Sequence, residues 1–311
     1  MILVCGEALF DVFVGDENAQ GALGLHAVPG GSPFNVAIGL SRLGRKAGFF
    51  GGLSRDLFGR KLSRILAREQ VDISASPMID APTTLAFVEL AADGAPRYAF
   101  RGEGAADRLI ATAHLPVIAD EVSALIFGSY STVVAPTGDS LLALAERERR
   151  RRVIVYDPNI RPTVVSDLDV WRRRFDAFAE TATIVKVSDE DLNLLAPGAS
   201  PGQFADAALA QGAQLVLVTR GGEGCAAFGG FGKVRAQSVA QTLVDVVGAG
   251  DTVTAALVAW LDERGLLHRD AIAGLNAREA SDAVAFAMRA AAVTCSRRGA
   301  DLPRRDEIPL N

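Results

Sequence analysis

Lysine is almost missing from this chain. Four are present, Lys46, Lys61, Lys186 and Lys233, and the other 28 of the 32 basic residues are arginine. The skew reads as genomic bias, yet it makes each lysine conspicuous. Positive charge is in deficit as well: 37 acidic residues leave a net charge of −5, which argues against a dedicated nucleic-acid binder, whose footprint is a basic excess or stripe. Cysteine is sparse. Cys5, Cys225 and Cys295 are odd in number, widely spaced and set among apolar neighbours, the pattern of reduced core residues and not of a disulfide framework or a metal set. Three histidines, His26, His114 and His268, are too few and too scattered for zinc. The longest charge-free stretch, Asn18 to Ser41, is broken by Gly, Pro, Asn and Ser, so no membrane helix is expected. Met1 leads straight into Ile-Leu-Val-Cys-Gly without a basic leader, and a cytoplasmic protein is expected.

Several motifs are missing too. Gly232-Lys233 is followed by Val, so there is no P-loop. The first strand-like run is followed by Gly6-Glu7-Ala8 in place of a dinucleotide fingerprint. Gly30-Gly31-Ser32 runs on into Pro33-Phe34 and makes no nucleophile elbow.

What remains is an ordinary globular composition of 311 residues, 49% hydrophobic and 22% charged, which excludes wholesale disorder. At roughly 150 residues per domain the length suggests two domains, but no boundary falls near the middle. Short apolar runs at Met1–Cys5, Lys46–Gly51, Ala124–Phe127, Val153–Tyr156, Thr183–Val187 and Leu215–Thr219 alternate with amphipathic stretches at Asp56–Glu69, Ser140–Arg150, Val170–Glu180 and Pro201–Gln211. Runs apolar on both faces are parallel strands covered on both sides, and the alternation predicts a doubly wound α/β sheet. Arg149–Arg152 is expected to end a solvated helix. Two β-rich segments break the rhythm, residues 10–29 and 83–101, the second carrying an Asp93-Gly94 hairpin turn. They predict a small antiparallel sheet inserted into one domain spanning 1–311. A further hairpin is expected after Thr219, and helices from Asp251 to Cys295.

Two segments carry chemistry. In Asp245-Val-Val-Gly-Ala-Gly-Asp-Thr252 the glycines allow a tight turn whose amides converge with the positive end of the helix that follows. Such a nest suits a phosphoryl group gaining charge, and Asp251 at its mouth could take a proton from an attacking hydroxyl. Alone, the same residues could be a turn and a helix cap. In Gly30-Gly-Ser-Pro-Phe-Asn-Val-Ala37, Ser32 and Pro33 suit a helix start. Asn35 beside the diglycine supplies the neutral donors and acceptors that polyol recognition needs.

Together and in this order, these segments resemble the two signatures of the PfkB (ribokinase-like) carbohydrate kinases. Gly6-Glu-Ala-Leu-Phe-Asp11, Gly102-Glu-Gly-Ala-Ala-Asp107 and Lys186-Val-Ser-Asp-Glu-Asp191 resemble its bacterial fructokinase branch. The resemblance implies a ribokinase-like sheet with a small β lid. It also implies transfer of the γ-phosphate of ATP to a sugar hydroxymethyl group, with Mg2+ and a monovalent cation such as K+. It makes Asp251 the catalytic base and the Gly248-Ala249-Gly250 turn the anion hole, through the amides of Ala249 and Gly250. Asp11, Gly31, Ser32 and Asn35 would hold the sugar, and Arg101 or Arg161 would meet an acidic one. Asn159, Arg161, Lys186 and Ser188 would lie by the phosphates, Thr219, Gly221 and Gly224 in the ATP-binding turn, and Asn276 by the adenine. Glu190 or Asp191 would order magnesium, and Asp245 with the Val247 carbonyl would bind the monovalent cation. The sequence departs from the family at Ser188-Asp-Glu-Asp191, where N-x-x-E is usual, at Val247 and at Val253. Ribose, a 2-keto-3-deoxy sugar acid or a nucleoside are the alternative substrates, and a non-catalytic sensor is the alternative class. Exposed lid edges invite pairing, so a homodimer through the lid is expected.

Overall fold

The computed structural model describes residues 1–90, 96–239 and 242–309, so the Asp93-Gly94 turn lies outside the described residues. In chain order the strands are β1 (Ile2–Cys5), β2 (Leu9–Glu17), β3 (Leu23–Gly30), β4 (Ala47–Phe50), β5 (Leu53–Ser54), β6 (Met78–Ile79), β7 (Leu85–Leu90), β8 (Pro96–Arg101), β9 (Ala124–Gly128), β10 (Val153–Asp157), β11 (Ile184–Ser188), β12 (Leu215–Thr219), β13 (Cys225–Gly229) and β14 (Gly232–Ala236). The helices are α1 (Ser32–Arg42), α2 (Leu57–Arg68), α3 (Thr137–Glu148), α4 (Leu168–Ala179), α5 (Asp189–Leu195), α6 (Pro201–Ala210), α7 (Ala249–Glu263), α8 (Arg269–Ala273) and α9 (Ala277–Cys295).

The six apolar runs become adjacent parallel strands of one sheet, ordered β14-β13-β12-β11-β10-β9-β1-β4, with the β13–β14 hairpin antiparallel at one edge. Side chains alternate along each strand. Val4, Ile126, Val155, Ile184 and Leu217 therefore meet α1, α7 and α9 on one face. Leu3, Leu125, Ile154, Val185 and Val216 meet α3, α4 and α6 on the other. The succession of strands reverses at β1, which has β4 on one side and β9 on the other. A ligand crevice is expected at the carboxyl ends of strands at such a switch point.

Segments 10–29 and 83–101 pair as a second sheet, ordered β3-β2-β7-β8. Its outer pairs are antiparallel, while β2 and β7 run parallel at its centre. Helix α3 begins at Thr137, right after Pro136, and ends at Glu148, so Arg149–Arg152 lie beyond it. Arg152 is not solvated. It is buried beside Glu148 and donates to the carbonyls of Ile118 and Ala119. The three cysteines are free, and among the described residues no helix is long and apolar enough to cross a membrane.

Glu7, in the link from β1 to β2, is 1% exposed. Burial lifts its carboxyl from 4.5 to about 7, against the hydroxyls of Ser129 and Ser131, and the negative charge of Asp107 adds to the rise. A carboxyl with a raised folded-state pKa binds its proton more tightly in the folded protein, so stability falls as pH rises through that window. Between pH 4.5 and about 7 this group should cost about 3 kcal/mol, by the free energy per pKa unit. Glu7→Gln is expected to remove that slope and to unfold at higher denaturant than the parent at pH 8. Urea midpoints at pH 5 and pH 8 test it, and parallel pH dependences would contradict it.

Candidate active site

Helix α7 opens on Gly248, whose φ of 81° lies in the left-handed region and whose added Cβ would stand 2.7 Å from the Ala300 Cβ. Only glycine fits there. The Ala249 amide already donates to the Val246 carbonyl at 3.2 Å, and the first helical bond runs from the Thr252 amide to the Gly248 carbonyl. The open donors of the first turn are therefore the amides of Gly250 and Asp251, one residue further on than the Ala249–Gly250 pair expected from the motif.

Asp251 does not cap its own helix. Its two carboxylate oxygens accept hydrogen bonds from α1 instead, Oδ1 from the Ser32 hydroxyl at 2.6 Å and Oδ2 from the Asn35 side-chain amide at 2.8 Å. Ser32 accordingly is not the helix cap that the Ser-Pro pair suggests. Gly31 takes that position, with φ 104° and no room for a Cβ, which would lie 2.9 Å from the Glu7 carbonyl. Burial raises the Asp251 carboxyl above its ordinary 3.8, opposed by Ser32, Asn35 and the charges of Lys186 and Arg161. The result is an ionisable base that still sits at a helix N-terminus.

Strand parity brings a second group to the same spot. Lys186 on β11 and Asp157 at the end of β10 follow Ile184 and Val155 by two residues, so both point to the α7 side. The Lys186 ammonium donates to Asp157 Oδ2 at 2.8 Å, and Thr254, one turn after Asp251, donates to the same oxygen at 3.1 Å. Burial alone would lower Lys186, but the carboxylates of Asp157, Asp191 and Asp251 together hold it above its ordinary value, so it stays charged. A Cβ on Gly250 would lie 3.1 Å from this ammonium. The ammonium thus lies close against the first turn of α7 at Gly250.

Other candidates surround this core. Asp11 lies over Gly30, whose added Cβ would meet its carboxylate. Burial pushes it up to about 6, with the Arg161 charge opposing. Arg161 is exposed and acts electrostatically on both Asp11 and Asp251. It follows Asn159, whose φ of 40° bends the chain after β10. Ser188 caps α5 reciprocally with Asp191. Asp191 Oδ1 also takes the Ile160 amide at 2.8 Å, which leaves Glu190 as the exposed member of the Glu190–Asp191 pair. Thr219, Gly221 and Gly224 form the turn from β12 to β13, beside Ser188 in register. Asn276 is spent capping α9 through the Arg278 and Glu279 amides. Asp245 holds the Val247 and Gly299 amides, while Val247 is exposed. Arg101 is exposed at the end of β8. The hydrogen-bonded core unites Asp251, Ser32 and Asn35 with Lys186 beside them; Arg101, Asn276 and Asp245 are not bonded to it. Motif reading overlooked Asp157 and Thr254. Their signals were available: two-residue parity on β10, and the three-residue step from Asp251 on α7.

The model of the pfkB family carbohydrate kinases matches residues 1–307. The chain belongs to the PfkB family of carbohydrate kinases. The kinase is 41% identical over 276 residues to a fructokinase of Rhizobium leguminosarum bv. trifolii, covering 89% of this chain and 84% of that one. Its fold matches that of a fructokinase from Xylella fastidiosa solved with bound ATP, at a TM-score of 0.90 and 24% identity over 99% of this chain and 96% of that one. It also matches a double mutant of a fructokinase from Vibrio cholerae O395, solved with fructose, ADP and potassium ion. The TM-score there is 0.82 and the identity 25%, covering 96% and 93% of the two chains.

If Asp251 is the base of this kinase, activity must fall as pH drops through its pKa, because only the carboxylate can accept a proton. The Ser32 hydroxyl lowers that pKa. Ser32→Ala should therefore move the acid limb of kcat/KM to higher pH, and a pH–rate profile with an unmoved limb would count against the role.

Proposed function

We propose that this kinase transfers the γ-phosphoryl group of ATP to a hydroxymethyl oxygen of fructose, with Asp251 as general base. The observation that carries this reading is one buried carboxylate, held by Ser32 and Asn35, beside the open amides of Gly250 and Asp251 and the Lys186 ammonium. Phosphoryl transfer asks mainly for positioning and charge stabilisation. Asp251 would accept the hydroxyl proton while amides and ammonium meet the charge on the departing oxygens. Ser32 and Asn35 would orient the base and, with Asp11 and Gly31, hold the sugar. Likeness to the Rhizobium fructokinase at 41% identity supports fructose as the substrate. Asn159, Ser188 and Arg161 would lie along the phosphates, with Thr219, Gly221, Gly224 and Asn276 toward the nucleoside.

Among the described residues no cluster of three His, Cys, Asp or Glu side chains could chelate a metal. Glu190, exposed at the start of α5, would reach the water shell of magnesium brought in on the phosphates, and bound magnesium would neutralise phosphate charge. A monovalent cation at Asp245 and the Val247 carbonyl would steady the loop before the nest. Turnover unchanged after exchanging potassium for a bulky organic cation would dismiss that site.

The four-stranded sheet would act as the lid, excluding water that would hydrolyse ATP. Its exposed Phe13, Leu23 and Leu25 suit a second copy, and a monomeric mass by light scattering at micromolar concentration would refute the dimer. ATP consumption across fructose, ribose, a 2-keto-3-deoxy sugar acid and a nucleoside tests the whole reading. Fructose should have the highest kcat/KM. Preference for another substrate would replace fructose, and no turnover with any would make the protein a sensor.

A further inference from the structure

The chain passes between the large sheet and the small one four times: at Gly6–Ala8, at Gly30–Gly31, before Thr84 and after Arg101. Three of these crossings carry a buried polar side chain, Glu7, Thr84 and Asp107. Thr84 enters β7 and Asp107 follows β8, so the two flank the second lid segment. Their side chains meet: the Thr84 hydroxyl donates to Asp107 Oδ1 at 2.6 Å. The other oxygen, Oδ2, accepts from the Tyr130 hydroxyl at 2.6 Å. Tyr130 belongs to the large domain, in the turn after β9. Behind Asp107 its own carbonyl accepts from Thr137, the first residue of α3, at 3.0 Å.

The Tyr130 ring is also the seat on which the small sheet rests. Phe100 of β8 meets it edge-on at 6.2 Å, and Leu9 of β2 and Ala86 of β7 pack in the same cluster. The Arg108 guanidinium lies over the ring, 5.3 Å from its centroid. Ile160, next to Arg161, belongs to the same cluster. The hydroxyl and the ring therefore hold the small sheet from two directions. Asp107, Thr84 and Tyr130 are each 2% exposed or less. A network that is buried and fully paired at one carboxylate is rigid.

We propose that Asp107 is a positioning residue for the reaction. With Thr84 and Tyr130 it forms the fulcrum that sets the small sheet, and Asp11 on it, at a fixed angle to Asp251 in the large domain. This rests on the sugar-kinase reading, since Asp11 would hold the sugar while ATP lies on the large domain. Loosening the fulcrum should weaken sugar capture and leave nucleotide capture alone.

Tyr130→Phe and Thr84→Val each remove one hydrogen bond to the carboxylate and keep the packing volume close. Each should raise the sugar KM about ten-fold, the scale of one hydrogen bond to a charged group, with the ATP KM and kcat within about two-fold. Amide hydrogen exchange on the full chain reads the same event without activity. Protection should fall about ten-fold in β2 and β7 and hold in β10–β12, the signature of local rather than global opening. Unchanged exchange in β2 and β7 overturns the inference. So does a uniform loss of protection with both KM values moving together, which is what a merely destabilising change would produce. If one variant fails to fold, the other carries the test. Absence of sugar turnover in the parent protein would sink the kinase reading, while the exchange experiment would still decide the fulcrum.

Discussion

Replacing Asp251 with alanine should cost on the order of 10²-fold or more in kcat, the usual scale for a positioned general base. Asp251 is 8% exposed, so its carboxylate is largely withdrawn from water, and burial raises its basicity. Both oxygens are already oriented by α1, at 2.6 and 2.8 Å. A sugar hydroxyl arriving beside them would find a base that needs no reorganisation. The alanine variant also leaves the half-buried Ser32 hydroxyl and the buried Asn35 amide without an acceptor, at about 1–3 kcal/mol for a buried unpaired group such as Asn35. Loss of fold could then mimic loss of chemistry. Asp251→Asn separates the two, because its amide fills the space and keeps one acceptor but cannot take a proton. It should retain the parent's circular dichroism and nucleotide affinity and still lose turnover. Wild-type kcat in a folded Asn variant would remove Asp251 from the mechanism.

Lys186→Met should be the most destabilising single change at the site. Lys186 and Asp157 are each 4% exposed and bond at 2.8 Å. Asp157 Oδ1 has no partner at all among the described residues, so the carboxylate depends on the ammonium and on Thr254 through its other oxygen. Removing one member of a buried pair strands the other, typically for about 3–5 kcal/mol. Against a usual folding stability of about 5–15 kcal/mol that is a large share. A second substitution distinguishes structure from chemistry. Adding Asp157→Asn removes the stranded charge, and its amide can still accept from Thr254, so the urea midpoint should recover much of the loss. Turnover should not recover, because no ammonium would stand beside Gly250 at the start of α7 to meet phosphate charge. A double variant with parental kcat would leave Lys186 a purely structural residue.

Much of this architecture was legible before folding. Val153–Tyr156 and Leu215–Val218 are hydrophobic at every position, and only strands covered on both faces accommodate such runs. The diglycine at 30–31 and the glycines around 248–250 announce backbone turns closed to other residues. Roles that depend on an unpaired group were harder to read. The Ser32-Pro33 pair has the local chemistry of a helix start, and a local rule assigns its hydroxyl to the helix. In the folded chain that hydroxyl goes to a carboxylate 219 residues away. The motif offers the Ala249 amide as a donor, but the turn that precedes α7 commits it to the Val246 carbonyl. Glu190 and Asp191 were indistinguishable in sequence. The cap of α5 and the Ile160 amide engage Asp191 and leave Glu190 open.

The sequence alone determined the alternation of buried strands and helices, the order of the two glycine-rich segments and the family to which they belong. These are properties of neighbouring residues, where periodicity, turn chemistry and propensity act over a few positions. Tertiary structure decided which polar side chains meet: Asp251 with Ser32 and Asn35, Lys186 with Asp157, and Asp107 with Thr84 and Tyr130. Each bond joins segments brought together by the packing of helices on the sheet and of one sheet on another. Burial there makes an unpaired polar group so costly that a partner must be found across the fold.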